Sequence, residues 1–108
     1  MTFAIYKDEK MVGFIMMYYD DGNGKFEYSS YGIFKIMIDR RYQGNGYGKE
    51  ATIKAIAYSK ASTHGKARVV ELTYNPDNAI ARKLYLSLGF VETGKIHPSG
   101  EVYAEYVL

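Results

Sequence analysis

The chain has 108 residues, enough for one domain and too few for two that each bury a core. Hydrophobic residues make up 47% of it and charged residues 24%, an ordinary globular composition that argues against extended disorder. It contains no cysteine, which excludes disulfides, thiolate nucleophiles and cysteine-ligated metal sites. No apolar run approaches the roughly 18 residues of a membrane span, and the first residues are unlike a signal peptide. We therefore expect a cytoplasmic protein without a membrane anchor.

The formal net charge is only +2, but the charge is unevenly distributed. Between positions 40 and 68 there are seven basic residues and one acidic residue, Glu50. Such a segment attracts an anion, and both a nucleic acid and a phosphorylated cofactor are candidates. The two histidines, His64 and His97, lie far apart without partners at metal-ligand spacing, so we expect no metal site.

The first third of the chain has the pattern of β-strands. Residues 3–5 and 11–19 are apolar and aromatic, and a turn at 8–10 separates them. Residues 20–25 are dense in turn formers and predict a hairpin. A third strand is predicted over 26–38, with Gly32 as a bulge or kink.

The hydrophobic period then changes to that of helices. A helix is predicted over 47–62, with Ile53, Ile56, Ala57 and Lys60 along one side and His64-Gly65 as its stop. Residues 69–74 predict a fourth strand.

A second helix is predicted between Asn78 and Gly89, and strands over 90–95 and 102–108 follow, joined by a turn at 98–100. Apolar residues at helical spacing mark the inner side of this second helix, namely Ala81, Leu84, Tyr85 and Leu88. The predicted order is β-β-β-α-β-α-β-β.

A glycine cluster lies between the third strand and the first helix, where residues 41–49 read RYQGNGYGK. Glycine at 44, 46 and 48 permits positive φ and close approach of a ligand to the backbone. Successive amides and the positive end of the helix then form a cradle suited to phosphate. The spacing does not fit a P-loop or a dinucleotide-binding fingerprint, because Glu50 follows Lys49 and position 49 is not glycine.

Two blocks of this sequence resemble the GNAT acetyltransferase superfamily. The first is Arg41-x-x-Gly44-x-Gly46. The second consists of Leu72-Thr73-Tyr74-Asn75-Pro76-Asp77-Asn78 followed by Lys83-Leu84-Tyr85-Leu86-Ser87-Leu88-Gly89-Phe90. The resemblance runs from the strand at Phe3 to the last residue. It implies one α+β domain over 1–108 with a mixed, mostly antiparallel sheet and two helices. The family's domain usually starts with a further strand and two helices, so this chain is expected to be N-terminally short.

The resemblance implies acetyl-CoA as co-substrate, with its pyrophosphate at the glycine cluster. The backbone of Met37 and Ile38 is expected to bind the pantetheine like an added strand. The remaining cofactor-binding residues that the resemblance implies are Arg41, Gln43, Gly44, Asn45, Gly46, Tyr47, Gly48, Lys49, Asn75, Asn78, Lys83 and Tyr85.

An N-acetyltransferase needs a base and an acid. An alkyl amine with a pKa near 10.4 is mostly protonated at pH 7, so a base must remove a proton before the nitrogen attacks. Tyr85 matches the family's tyrosine acid, which protonates the departing CoA thiolate; its alternative role is a core residue. Glu71 and Glu27 are the candidate bases, and the alternative for each is a solvated strand carboxylate.

The chain looks most like the bacterial spermine/spermidine branch of the family, which implies a polyamine acceptor. A polycation needs carboxylates, and alternation puts Glu101 and Glu105 on one strand face with Tyr103 between them. Glu27 and Glu71 are further candidates. Alternative acceptors are a peptide N-terminal amine and an aminoglycoside, and the alternative outside catalysis is a CoA-sensing or nucleic-acid-binding module.

The large apolar residues of the second strand predict self-association, most simply as a homodimer. These residues are Phe14, Met16, Met17, Tyr18 and Tyr19. A strand with large apolar groups on both faces needs cover on both.

Overall fold

The computed structural model describes residues 1–23 and 28–108 and contains two α-helices and six strands in one sheet. In chain order the elements are β1 (Thr2–Lys7), β2 (Lys10–Asp20), β3 (Ser30–Ile38), a 3-10 turn (Arg40–Tyr42), α1 (Tyr47–Lys60), β4 (Val69–Tyr74), α2 (Ala79–Leu88), β5 (Val91–Ile96) and β6 (Val102–Val107). This order confirms the α+β class predicted from the sequence.

The sheet is mixed and mostly antiparallel, as predicted. Its strand order is β1-β2-β3-β4-β6-β5. Among the described strands only β3 and β4 are parallel neighbours, and α1 forms the crossover that a parallel pair requires. The other neighbouring pairs are antiparallel.

A crevice opens between β3 and β4. The two strands are in register only where Ser30, Tyr31 and Gly32 face Val69, Val70 and Glu71. Beyond these pairs β3 continues to Ile38 and β4 to Tyr74 without ladder pairing between them. The inner edges of both strands are therefore available to a ligand that enters from their carboxyl ends.

Both helices pack on the same face of the sheet, which we call the helix-covered face. The ring of Tyr31 on β3 contacts Tyr58 of α1, with centroids 6.3 Å apart. Tyr74 on β4 stacks on Tyr85 of α2 at 5.6 Å. Because Val70 is in register with Tyr31 and shares a strand face with Tyr74, these contacts lie on one side.

The opposite side, which we call the open face, carries the alternate residues of the same strands. They include Phe14, Met16 and Tyr18 of β2 and Glu71 of β4. No helix packs on this face in the part of the chain that the structure describes.

The third strand differs from the prediction in its start and in its bulge. Strand pairing begins at Ser30, and the predicted strand residues 26–27 lie outside the described ranges. The bulge is at Phe34, because Met16 faces Lys35 while Met17 faces Ile33. Gly32 instead makes room for a neighbouring ring. The prediction of a bulge at Gly32 was therefore wrong.

The first helix is rotated and shorter than predicted. It ends at Lys60, and Ser62 takes a positive φ of 56° before His64-Gly65 is reached. Its buried side contains the residues Ala51, Thr52, Ala55, Ile56 and Ser59, so only Ile56 of the predicted stripe is buried. Ile53 is 47% exposed. The small residues on the buried side let α1 approach the sheet closely. The prediction relied on the larger side chains and therefore chose a different side of the helix.

The second half of the fold agrees closely with the prediction. β4 has the predicted bounds, and α2 begins after its cap Asn78 and ends at Gly89, whose φ is 108°. Phe90 is a core residue, 2% exposed, and β5 starts one residue later. Among the described residues no helix has the length and apolar content of a membrane span, and no three acidic or histidine side chains cluster at metal-binding distance.

Candidate functional site

The glycine loop between β3 and α1 is open to ligand. Gly44 and Gly46 have φ of 81° and 82°, conformations that other residues rarely adopt. A Cβ atom built on Gly44, Gly46 or Gly48 meets no atom within 4 Å. The glycines are therefore not required by contacts within the described chain, and the space beside them can hold a ligand.

The amides at the start of α1 point into this space. The first helical hydrogen bond runs from the Glu50 N–H to the Gly46 carbonyl at 3.0 Å. The helix thus leaves the N–H groups of Tyr47, Gly48 and Lys49 unused, and its dipole adds positive potential there. Lys49 is exposed beside them. This is a donor set for a phosphate group.

Several predicted loop ligands also hold the loop in shape. The Gln43 Nε2 donates to the Ile38 carbonyl at 3.0 Å, and the Asn45 Nδ2 donates to the Tyr42 carbonyl at 3.0 Å. Arg41 pairs with Asp39 at 3.0 Å, and its guanidinium lowers the pKa of that exposed carboxyl. Part of the charge of Arg41 is therefore neutralised locally, while Gln43 fixes the loop to the end of β3.

The backbone of Ile38, and not that of Met37, faces the crevice. The Asp39 N–H donates to the Val12 carbonyl at 2.7 Å, and Met37 lies opposite Phe14. Because hydrogen-bonded and non-bonded pairs alternate along an antiparallel ladder, Met37 also turns its backbone groups to β2. The groups of Ile38 point the other way. The prediction that the Met37 backbone binds pantetheine therefore needs correction to Ile38 alone.

The turn before α2 contains both predicted asparagines. The Asn78 Oδ1 accepts from the Ala81 N–H at 3.1 Å as the helix cap, and the Asn75 Oδ1 accepts from the Asp77 N–H at 2.9 Å. Their side-chain amide groups retain donor capacity. Lys83 is exposed on α2. The two asparagines follow the carboxyl end of β4, on one side of the crevice.

Tyr85 lies among aromatic rings on the helix-covered face. Its ring stacks on Tyr74 at 5.6 Å and meets Phe90 edge-on at 5.8 Å. Burial raises the pKa of Tyr85 above its usual value, so the hydroxyl is protonated at neutral pH and can donate. The side chain thus combines the packing role and the protonation state that an acid requires.

A cavity of about 700 Å³ adjoins the crevice on the open face. Its walls come from β2, β3, β4 and the turn before β6, and its polar members are Tyr18, Asp20, Lys35, Glu71, Thr73, His97, Glu101 and Tyr103. Three carboxylates against one lysine make its lining acidic. Such a lining suits a cationic ligand.

Glu71 is the most buried charged residue of this cavity, at 7% exposed. The Tyr18 hydroxyl donates to its Oε2 at 3.2 Å. Burial and the facing carboxylate raise the pKa of Tyr18, so its hydroxyl remains a donor. Glu71 and Tyr85 lie on opposite faces of the sheet and thus flank the crevice from its two sides.

The predicted acidic pair shares the open face, but only Glu105 belongs to β6, and Glu101 lies in the turn before it. The Glu101 Oε1 accepts from the Thr73 hydroxyl at 3.1 Å and lines the cavity. Glu105 lies opposite Glu71 in the ladder and accepts from the Tyr28 hydroxyl, and burial raises its pKa. The other candidate base, Glu27, lies outside the residues that the structure describes.

Tyr18, Asp20, Lys35 and His97 were not singled out as members of this cavity by the sequence analysis. One signal for Tyr18 was available. Tyr18 alternates with the core residues Met17 and Tyr19, which places its ring on the other face. His97 belongs to a turn, where its Nδ1 lies 2.9 Å from the Ser99 hydroxyl, and no periodicity predicts which strand a turn residue approaches.

Three solved structures illustrate the similarity to known proteins. An acetyltransferase from Bacillus subtilis in complex with CoA superposes with a TM-score of 0.79 at 16% identity, over 99% of this chain and 76% of that one. The ribosomal-protein-S18-alanine N-acetyltransferase from Escherichia coli gives 0.72 at 22% identity, over 99% and 68%. A PaiA N-acetyltransferase from Thermoplasma acidophilum in complex with coenzyme A gives 0.73 at 15%, over 99% and 60%.

At these identities the superpositions establish the fold. This chain spans roughly two thirds of the length of the solved structures that it resembles. No curated protein sequence matches it significantly. The sequence model of the acetyltransferase (GNAT) family matches residues 1–90, which include the glycine loop, the crevice strands and α2. The chain therefore belongs to the GNAT acetyltransferase family.

Proposed function

We propose that this protein transfers an acetyl group from acetyl-CoA to a primary amine, and that the amine is a polyamine such as spermidine or spermine. The observation that carries the first part is the open glycine loop at the end of the crevice. A Cβ on any of its three glycines would project into free space, and three helix amides there lack intrahelical partners. These features fit a pyrophosphate.

Acetyl-CoA would supply the acetyl group as a thioester, and the chain's residues would hold it along the crevice. The amides of Tyr47, Gly48 and Lys49 suit the pyrophosphate. The Ile38 N–H, which points away from β2, suits an amide of the pantetheine arm in the manner of an added strand. Several proteins of the same fold were solved with CoA or acetyl-CoA bound, which supports this assignment.

Two side chains are placed to handle protons on either side of the crevice. The Glu71 carboxylate accepts a proton from the acceptor's ammonium group, so that the nitrogen can attack the thioester carbonyl. The new C–N bond would replace the C–S bond, and the Tyr85 hydroxyl donates its proton to the sulfur that leaves. The nitrogen then loses its second proton, which restores the Tyr85 hydroxyl through solvent. Burial of Glu71 and the raised pKa of Tyr85 support these directions of transfer.

The acidic cavity supports a polyamine as acceptor. When one ammonium group lies near Glu71, the remaining charges of a polyamine need partners, and Glu101 and Asp20 line the same cavity. A monoamine of equal length has no second charge to place there. This difference separates a polyamine from a simple amine experimentally.

The test is CoA release with acetyl-CoA and a panel of acceptors. The panel contains spermidine, spermine, a monoamine of similar length, a peptide with a free N-terminus and an aminoglycoside. We expect the polyamines to have the highest kcat/KM. Glu101→Gln should raise the KM for spermidine about fivefold, as loss of one partly exposed ion pair implies, and leave that for the monoamine unchanged. Glu9→Gln, which removes the same charge in the exposed β1–β2 turn, is the matched control.

A peptide or aminoglycoside with the highest kcat/KM would replace the polyamine as acceptor. Binding of acetyl-CoA without CoA release for any amine would contradict the enzymatic proposal and favour a CoA-sensing module.

A further inference from the structure

Tyr18, Gly32 and Glu71 form a row across three neighbouring strands. Tyr18 of β2 is in register with Gly32 of β3, and Gly32 is in register with Glu71 of β4. Residues in register point to the same face, which here is the open face. Because Gly32 in the middle has no side chain, the side chains of Tyr18 and Glu71 can meet above it.

Gly32 is required by the Tyr18 ring. A Cβ at position 32 would lie 1.9 Å from the Cζ of Tyr18, so the ring lies directly on the β3 backbone. Strands two apart in a sheet are separated by about 10 Å, too far for ordinary neighbours to bond. The Tyr18 ring crosses this gap, and its hydroxyl reaches the Glu71 Oε2 at 3.2 Å. Any larger residue at 32 would prevent the contact.

The contact lies where the crevice opens. Gly32 and Glu71 are the last register pair between β3 and β4, so the Glu71 side chain stands at the point of separation. Glu71 is 7% exposed, and a carboxylate so poorly hydrated needs hydrogen-bond donors to stay ionised.

We propose that Tyr18, seated on Gly32, is a positioning residue that holds the Glu71 carboxylate at the opening of the crevice and keeps it ionised. The use of Glu71 in proton transfer rests on the proposed function, whereas the positioning of its carboxylate by Tyr18 does not. Other titratable groups surround Glu71 from every neighbouring element, namely Asp20 on β2, Lys35 on β3, Tyr103 and Glu105 on β6, and His97 and Glu101 in the turn before β6. Of these, Asp20, Glu101 and Glu105 are carboxylates whose negative charge disfavours the ionised form of Glu71, so the Tyr18 hydrogen bond opposes their effect.

The first test is the titration of Glu71 itself, followed by NMR of ¹³C-labelled glutamate carboxyls and assigned with Glu71→Gln. Tyr18→Phe keeps the ring and removes the donor. Loss of a hydrogen bond to a charged group should raise the titration midpoint of Glu71 by about one pH unit. Tyr19→Phe is the control, because it removes a hydroxyl from the next residue, whose bond to the Lys66 carbonyl lies away from the cavity. An unchanged midpoint in Tyr18→Phe would overturn the proposal.

The second test is the pH dependence of acetyl transfer. In Tyr18→Phe the acidic limb of kcat/KM should move up by about one pH unit, so that kcat/KM on that limb falls about tenfold while kcat on the plateau and acetyl-CoA affinity change little. Tyr19→Phe should leave both values as in the natural protein. A fall in kcat with no movement of the limb would mean that Tyr18 acts on the substrate and does not position Glu71. A natural protein inactive on every amine would contradict the proposed function, and the NMR titration would still decide the role of Tyr18.

Gly32→Ala provides an independent variant. It should displace the ring and raise the Glu71 midpoint as Tyr18→Phe does, with a loss of melting temperature from the clash. Adding Tyr18→Ala removes the clash. The double variant should regain melting temperature and keep the raised midpoint, whereas recovery of the natural midpoint would contradict the proposal.

Discussion

Burial among neighbouring rings keeps the Tyr85 hydroxyl protonated, so that it can donate a proton. Tyr74 and Phe90 pack against its ring, and burial raises its pKa. A hydroxyl with a raised pKa is protonated throughout the neutral range, so it is available as an acid and not as a base. The helical spacing of Tyr85 predicts packing and the family resemblance implies the acid role, and its ring contacts are compatible with both.

We expect Tyr85→Phe to lower kcat about 100-fold while acetyl-CoA affinity changes little, because the ring contacts remain and only the proton donor is lost. The measurement is the rate of CoA formation in a single turnover, together with acetyl-CoA binding by calorimetry. Tyr106→Phe removes a hydroxyl from the same aromatic cluster and serves as the control. An unaltered single-turnover rate in Tyr85→Phe would exclude the acid role.

The residue types at the loop and at α2 were predictable because they follow local rules. Positive φ at Gly44 and Gly46 and the cap at Asn78 depend on a few adjacent residues. The contact of Tyr18 with Glu71 depends on residues 53 positions apart in sequence, and on how three strands align. Local pattern contains no information about that alignment. The same limit explains the error for Met37, whose backbone direction depends on its pairing partner.

Among the elements, α2 begins after Asn78, a residue with an observed role in capping the helix and a proposed role in binding the cofactor. The Asn78 side chain caps the helix through Ala81, and the same turn adjoins the end of the crevice. A cap requires an oxygen acceptor, whereas a contact to the CoA arm uses the amide donor. The two functions of the residue are therefore separable by substitution.

We expect Asn78→Ala to lower the free energy of unfolding by about 1 kcal/mol, and Asn78→Asp to keep it, because aspartate caps as well as asparagine. Both variants should bind acetyl-CoA several-fold more weakly, since neither retains the amide donor. Chemical denaturation and calorimetry measure the two quantities. If Asn78→Asp bound acetyl-CoA with the natural affinity, Asn78 would be a cap only.

The two helices differ in how well their buried side could be predicted from the sequence. The inner side predicted for α2 was largely correct, because Ala81, Tyr85 and Leu88 at helical spacing all pack against the core. On α1 the buried side consists of the small residues Ala51, Thr52, Ala55 and Ser59 beside Ile56, and the large Ile53 lies outside. Close approach to the sheet selects small side chains, so hydrophobic size misled the prediction there.

At the scale of the whole molecule, the sheet has one covered and one open face. Met17 and Tyr19 point to the helices, while Phe14 and Met16 share the open face with Met37, which is 44% exposed. Phe34, at the bulge, is 72% exposed. The sequence showed that β2 is apolar on both sides, but which side the helices cover depends on the crossover between β3 and β4.

We expect this chain to self-associate through the part of the open face beside the cavity, around Phe14, Met16 and Met37, because contiguous apolar surface of this kind is rare on monomers. Sedimentation velocity should give a mass above 12.3 kDa that rises with concentration. Met37→Lys should weaken association, and Ile80→Lys, at another exposed apolar site, on α2, should not. A monomer at every concentration would contradict this expectation.

The most direct test of the central claim, that the glycine loop holds acetyl-CoA, is calorimetric binding to matched glycine variants. Gly46→Val places a side chain in the cradle, and Gly48→Val does so without backbone strain because its φ is ordinary. Gly94→Val is the control. Gly94 also has a positive φ, of 88°, and free space around a Cβ, but it lies in β5 and not in the glycine loop. We predict that acetyl-CoA binds the natural protein and Gly94→Val alike, stabilises both by about 2.7 kcal/mol at 100 times its Kd, and fails to bind the two loop variants. Equal affinity for Gly48→Val and the natural protein would contradict the account.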